Sequence, residues 1–72
     1  MKNAIRVKHE LNDTRINDRT IVRIVDYSTG ALITRGTWYS DNILSWYDAP
    51  VVRDSFDYDE NEYTIYINII EI

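Results

Sequence analysis

Asp57, Asp59 and Asn61 alternate with Tyr58 and Glu60, which places side-chain oxygens at the first, third and fifth positions of a possible cation loop. That spacing opens a calcium-binding EF-hand loop, which also needs glycine at its sixth position and a bidentate glutamate at its twelfth. Glu62 and Asn68 stand there instead, and the flanking segments read as strands. A solvated acidic turn is expected, not a calcium site. His9 is the single histidine, and the chain has no cysteine. Disulfides, thiolate metal sites and cysteine nucleophiles are therefore excluded. A histidine base needs an orienting partner and a substrate pocket, and a chain this small has little interior for one. On the apolar face of a strand, His9 reads as a residue at the margin of the core. The serines follow no nucleophile-elbow pattern, and two glycines cannot build a phosphate loop. These absences predict a protein that is not an enzyme and that uses no metal or cofactor.

What remains is binding chemistry. Trp38, Tyr39, Trp46 and Tyr47 lie within ten residues, around a short helix that cannot bury them all. Either Trp38, Leu44 and Tyr47 complete the small core, or Trp46 or Tyr39 stays exposed as an anchor of the type that dominates protein interfaces. Asp48, Asp54, Asp57, Asp59, Glu60 and Glu62 offer an acidic rim beside them. The partner-binding candidates are thus Trp38, Tyr39, Trp46, Asp54, Asp57, Asp59 and Glu60. The net charge is −4, unevenly spread. Residues 1–36 hold seven Lys/Arg against four Asp/Glu, and residues 37–72 hold one arginine, Arg53, against eight acids. Such asymmetry either solubilises the fold or presents an acidic end to a basic partner. If the first three strands are neighbours, Arg6, Lys8, Arg23 and Arg35, with Arg15 and Arg19, form a basic face. The acidic total disfavours nucleic acid, whose affinity for proteins rests on phosphate contacts.

The elements that position these residues are mostly strands. Eleven isoleucines and five valines against three alanines favour pleated, half-buried surfaces. Ala4 to Leu11 alternates, with Ile5, Val7, His9 and Leu11 on one side, and reads as a first strand. Asn12 to Arg19 is a polar loop in which Asn and Asp bond their own backbone. Thr20 to Trp38 is a hairpin over Ser28-Thr29-Gly30, a three-residue loop with glycine in third place. Its register sets Tyr27 opposite Ala31, Val25 opposite Ile33 and Arg23 opposite Arg35, the last unfavourable unless an acid or anion lies between. Ser40-Asp41-Asn42 starts a helix of about two turns that Ala49-Pro50 ends. Val51 to Tyr58 and Glu62 to Ile72 follow as strands about an Asp59-Glu60-Asn61 turn. The last is apolar on most of both faces and so is expected to be central.

The chain is one domain, residues 1–72. The fold class expected is α+β, mostly β: a five-stranded antiparallel sheet in β-β-β-α-β-β order with one short helix on one face. The alternative is a small five-stranded oligonucleotide-binding barrel, which also places a helix between its third and fourth strands. Barrel corners need glycines or bulges. Only Gly30 and Gly36 are available, and the turn uses Gly30, so the open sheet is favoured. No apolar run approaches the length that spans a bilayer, and Met1-Lys2-Asn3 leads into alternating residues, not a signal peptide. A cytoplasmic protein without membrane contact is expected.

Asp26-Tyr27-Ser28-Thr29-Gly30-Ala31-Leu32-Ile33-Thr34-Arg35-Gly36-Thr37, with Ser40-Asp41-Asn42-Ile43-Leu44 after it, looks like small uncharacterised proteins of bacterial phages and mobile elements. Those carry an Asp-x-x-Thr-Gly hairpin, a Gly-Thr step and a short acid-capped helix. The likeness spans about a quarter of the chain and carries over no binding residue. It implies a small accessory protein that acts by binding a host or viral protein; some proteins of that kind inhibit nucleases with acidic surfaces. The functional expectation is a small non-enzymatic protein-binding module that acts through an acidic, aromatic surface and self-associates. One alternative is a single-stranded nucleic-acid binder on the small barrel. Another is a nucleic-acid-mimicking inhibitor of a DNA-handling protein.

Overall fold

The structure, a computed structural model, describes residues 5–68. Along the chain run α1 (Val7–Glu10), β1 (Ile21–Asp26), β2 (Leu32–Gly36), α2 (Asp41–Leu44), β3 (Val51–Asp57) and β4 (Glu62–Ile67). The strands form one four-stranded sheet in the order β2-β1-β4-β3. β1 pairs antiparallel with β2, and β3 antiparallel with β4, but β1 and β4 are parallel, from Ile21 opposite Glu62 to Asp26 opposite Ile67. The expectation of five antiparallel strands is therefore wrong on number and on direction, and the barrel alternative falls with it. Two hairpins lie side by side with their inner strands running the same way. Periodicity identifies strands and their faces; it does not say which partner a strand takes or in which sense.

The missing fifth strand is the segment from Ala4 to Leu11, of which Ala4 lies outside the described residues. Only Arg6 makes a strand-like bridge, to Pro50, and Val7 then opens a helical turn. The amides of Val7 and Lys8 donate to the carbonyls of Ala49 and Tyr47, at 3.0 and 2.9 Å, and His9 Nδ1 accepts the Arg6 amide at 2.9 Å. Val7 and Glu10 are buried, whereas His9 is exposed. Over so few residues an alternating pattern and a spacing of three overlap, and the helical spacing prevails. His9 is thus a cap at the surface, not a residue at the margin of the core.

The Thr20–Trp38 hairpin forms as expected, with one change. Its loop has four residues, Tyr27 to Gly30, because the Asp26 amide donates to Ala31 O and the Gly30 amide to Asp26 O. Gly30 takes φ 77°, a left-handed conformation that glycine adopts without steric cost. The Tyr27 amide, expected opposite Ala31, donates instead to Ile67 O of β4 at 2.8 Å. The Asp26 carboxylate holds the loop, accepting bonds from the Ser28 amide and from the Ser28 and Thr29 hydroxyls. The extra loop residue shifts Val25 opposite Leu32, and a bulge between Ile24 and Val25 takes up the difference at Ile33. Arg23 therefore still faces Arg35, as expected.

β4 is central, as its doubly apolar sequence indicated; Tyr63, Thr64, Ile65 and Ile67 are buried. Ile69, Ile70 and Ile72, expected to extend it, lie outside the described residues. The core gathers Tyr63, Ile65 and Ile67 with Val22 and Ile24 of β1 and with Val7, Ile43 and Ala49 of the covering segments. All of that cover lies on one face. β2 and β3 are opposite edges, three strand spacings or about 14 Å apart, and residues 37–50 must cross a face to join them. Among the described residues no helix is long and apolar enough to cross a membrane.

The crossing is fastened where it leaves β2. Asn42 Nδ2 donates to Thr34 Oγ1 and Arg35 O, at 2.6 and 2.7 Å, and Ser40 Oγ meets the Thr37 amide and hydroxyl. A Cβ added at Gly36 would lie 3.1 Å from Ser40 Oγ and 3.2 Å from Asn42 Oδ1. Gly36→Ala is therefore expected to cost about 1–3 kcal/mol, the usual range for overpacking. Urea denaturation should show a lower midpoint at an unchanged slope; an unchanged midpoint would show that both side chains yield freely.

Candidate functional site

An open groove of about 410 Å3 lies beside α2, lined by Lys8, Leu11, Asn12, Trp38, Leu44 and Tyr47. Leu44 and Tyr47 project from α2 and the turn after it, while Ile43 alone of the helix is buried. Trp38 stands on the connection from β2, its ring edge-on to Tyr39 and its Nε1 donating to Asp18 Oδ1 at 3.2 Å. Trp38, Leu44 and Tyr47 are 40, 38 and 44% exposed. The sequence offered these three as completing the core, and the structure turns them outward. Tyr39 is exposed, as one reading had it, but Trp46, the other proposed anchor, is half-buried against the core. A helix of four residues exposes more side-chain surface than it can bury, and Ile43 takes the inward place.

The acids do not gather at this groove. Asp48 pairs with Lys8 at 3.2 Å, and its carbonyl accepts a bond from Arg6 Nη1 at 2.8 Å. Asp57, Asp59 and Glu60 sit at the β3–β4 turn, where Asp57 Oδ1 accepts the amides of Asp59 and Glu60 at 3.0 and 3.2 Å. This is the acidic turn that the sequence indicated, closed by Asn61 at φ 53°. None of these turn residues lines the groove. Among the described residues no group of three or more His, Cys, Asp or Glu side chains is placed to hold a metal ion.

The expected basic face is divided. Arg6 and Lys8 belong to α1 and its approach, on the covered side, whereas Arg23 and Arg35 point from the face that no helix covers. Strand register orders that bare face in rows. One row is Arg35, Arg23, Thr64 and Ser55; the next is Leu32, Val25, Tyr66 and Arg53. The Arg53 guanidinium sits 5.2 Å from the Tyr66 ring centre, and Tyr27 meets the same ring edge-on. Arg23 approaches Glu62 at 3.9 Å. Tyr66, Thr64, Ser55 and Arg53 were not singled out from sequence, because only the parallel β1–β4 pairing brings them beside Arg23.

Asp54 belongs to neither surface. It lies on the covered face of β3, opposite Ile65, at the edge of a polar cluster. There the Tyr63 hydroxyl donates to Glu10 Oε1 at 2.5 Å, and Arg15 pairs with Asp13 at 2.8 Å while stacking on Phe56 and Tyr63. Burial, and next the neighbouring Asp54 carboxyl, push the Glu10 pKa up, against the Tyr63 hydrogen bond that lowers it. Bonds from Arg15 hold Asp13 down, from 3.8 to about 2. Folded Glu10 keeps its proton to higher pH than in the unfolded chain, so its contribution is lost as pH rises through its raised value. Asp13 works the other way: its contribution is present above its unfolded value and is lost as pH falls towards about 2. Stability measured by urea denaturation should therefore peak in mildly acidic solution. Glu10→Gln should abolish the alkaline-side decline and leave the acid-side one; an unchanged alkaline limb would remove Glu10 from this role.

Comparisons of the chain with protein-family models, with curated proteins and with solved structures return no match.

Proposed function

We propose that this chain is a small non-enzymatic protein-binding module whose docking surface is the groove between α1 and α2. The observation that carries this reading is the joint exposure of Trp38, Leu44 and Tyr47 around one concave site. Large apolar side chains that cluster in water lower their free energy when a partner removes that water. Trp and Tyr are also the residue types that most often dominate binding energies. The partner segment that suits the groove is an apolar one flanked by basic residues. Asp18, which accepts the Trp38 Nε1 bond, borders the site with no ion pair among the described residues, while Lys8, the cation in its lining, is already paired with Asp48. The acids Asp54, Asp57, Asp59 and Glu60 lie away from the groove and act only on the long-range field.

Fluorescence polarisation with labelled apolar peptides bearing Lys or Arg at both ends tests this. Trp38→Ala and Leu44→Asp should each weaken binding about tenfold or more, a loss of at least about 1.4 kcal/mol. Asp59→Asn should leave it nearly unchanged. Absence of binding, or equal binding by Trp38→Ala, would overturn the assignment. Sedimentation identifies the occupant further: a dimer that Leu44→Asp dissolves would make it a second copy of this chain.

A further inference from the structure

We propose that the bare face of the sheet is a second binding surface, for single-stranded nucleic acid, despite the acidic character of the whole chain. The juxtaposition that carries this is the row Arg35–Arg23–Thr64–Ser55 beside the row Leu32–Val25–Tyr66–Arg53.

The first row is unfavourable as it stands. Side chains directly opposite in an antiparallel pair have Cβ atoms about 4.5–5.5 Å apart, and like charges so placed repel. Among the described residues only Glu62 relieves it, 3.9 Å from one nitrogen of Arg23. The Arg35 guanidinium has no ion-pair, hydrogen-bond or ring partner among the described residues. Two guanidinium groups with the exposed hydroxyl of Ser55 on the same row, the intervening Thr64 being buried, offer what a phosphate diester recognises: charge with several donors.

The second row supplies what a simple anion does not need. Tyr66 occupies the middle of the face on the central strand, with Tyr27 at its edge and Arg53 over its ring. Aromatic rings that carry successive bases, within a basic surface that tracks the backbone, are the usual means of holding single strands without sequence preference. Exposed Leu32 and Tyr27, 47 and 51% accessible, extend the apolar part of the platform. A duplex offers no unstacked base to such rings, so the single strand is the better fit.

The net charge of −4 does not oppose this, because the described acids lie off these two rows, Glu62 reaching Arg23 from the adjoining row and Asp26 being held in the hairpin loop. Asp13, Asp18, Asp41 and Asp48 belong to the segments that cover the opposite face, and Asp54 points to that side. Asp57 and Glu62 share the row of Ile21 at one end of the bare face, next to the turn that holds Asp59 and Glu60. A strand would therefore lie across the two arginine-bearing rows and away from that end.

The test is titration of fluorescein-labelled oligothymidine and oligouridine of about 15 nucleotides, with inorganic polyphosphate as competitor. Three phosphate contacts give a salt slope near −2, so a rise from about 50 to about 200 mM salt should weaken binding about 20-fold. Arg35→Gln and Arg23→Gln should each lower that slope by about 0.7. Tyr66→Leu should weaken binding about fivefold or more at every salt concentration, by loss of stacking. Because Tyr66 stands in register beside buried Val25, circular dichroism must show that variant folded; Arg35→Gln, at an exposed position, decides the matter even if it is not. Trp38→Ala should bind oligonucleotide as the unaltered chain does, which separates this surface from the groove. No binding at low salt, a salt slope near zero, or variants that bind like the unaltered chain would each overturn the proposal. So would polyphosphate competing as well as oligonucleotide at equal charge. Preference for one of the two oligomers would name DNA or RNA as the ligand.

Discussion

The parallel pairing of β1 with β4 is the constraint from which the rest of the molecule follows. It sets two local hairpins side by side and pushes β2 and β3 to opposite edges. The chain must then travel from one edge to the other across a face, and residues 37–50 do so with the short helix α2 in their path. The amino-terminal segment packs onto the same side, through Val7, Leu11, Ile16 and the Glu10–Tyr63 hydrogen bond. One face is covered, and the other carries the rows of Arg23 and Tyr66, with Val25 and Leu32 among them. The pairing is itself fastened at its start. Thr20 Oγ1 donates to Asn61 Oδ1 across 41 positions of sequence, and the Ile21 amide reaches Asn61 O.

Much of this was legible in the residues, and the part that was not has a physical reason. Gly30 and the β-branched runs around it made the first hairpin plain. The apolar residues on both sides of Tyr63 to Ile67 marked a central strand. The Asn-Asp pairs behaved as loop formers, with Asp13 and Asn17 accepting the amides of Arg15 and Arg19. The direction of pairing was not legible, because side-chain alternation is the same in a parallel and an antiparallel neighbour. Nor was α1, whose buried Val7 and Glu10 suit a turn of helix as well as a strand read with Val7 alone. The acid Glu10 was the least predictable core member; its burial depends on Tyr63, 53 positions away.

The candidate surfaces were legible in part for the same reason. A surplus of aromatics around α2 was evident, and it implied that some must face water. Which ones depended on the helix ending after a single turn: Ile43 and Trp46 turn inward, Leu44 and Tyr47 outward. The charge asymmetry between the halves also proved a poor guide to charge in space. Basic residues of the first half divide between both faces, and Arg53 of the acidic half joins Arg23 and Arg35 on the bare one.

The hairpin loop and the bulge beside it have a joint meaning for the register of this face. Each departs from the simplest hairpin by one residue, and the departures cancel, which leaves Arg35 on the face of Arg23. A one-residue slip in strand register carries every following side chain to the other side of a sheet. If Ile33 entered the ladder while the Tyr27–Gly30 loop stayed as it is, Arg35 would fall opposite Val22 and turn inward. A hairpin in that register would keep its loop. The positively charged row would not survive, so the surface chemistry of this face depends on where the backbone places its irregularities as much as on which residues it carries.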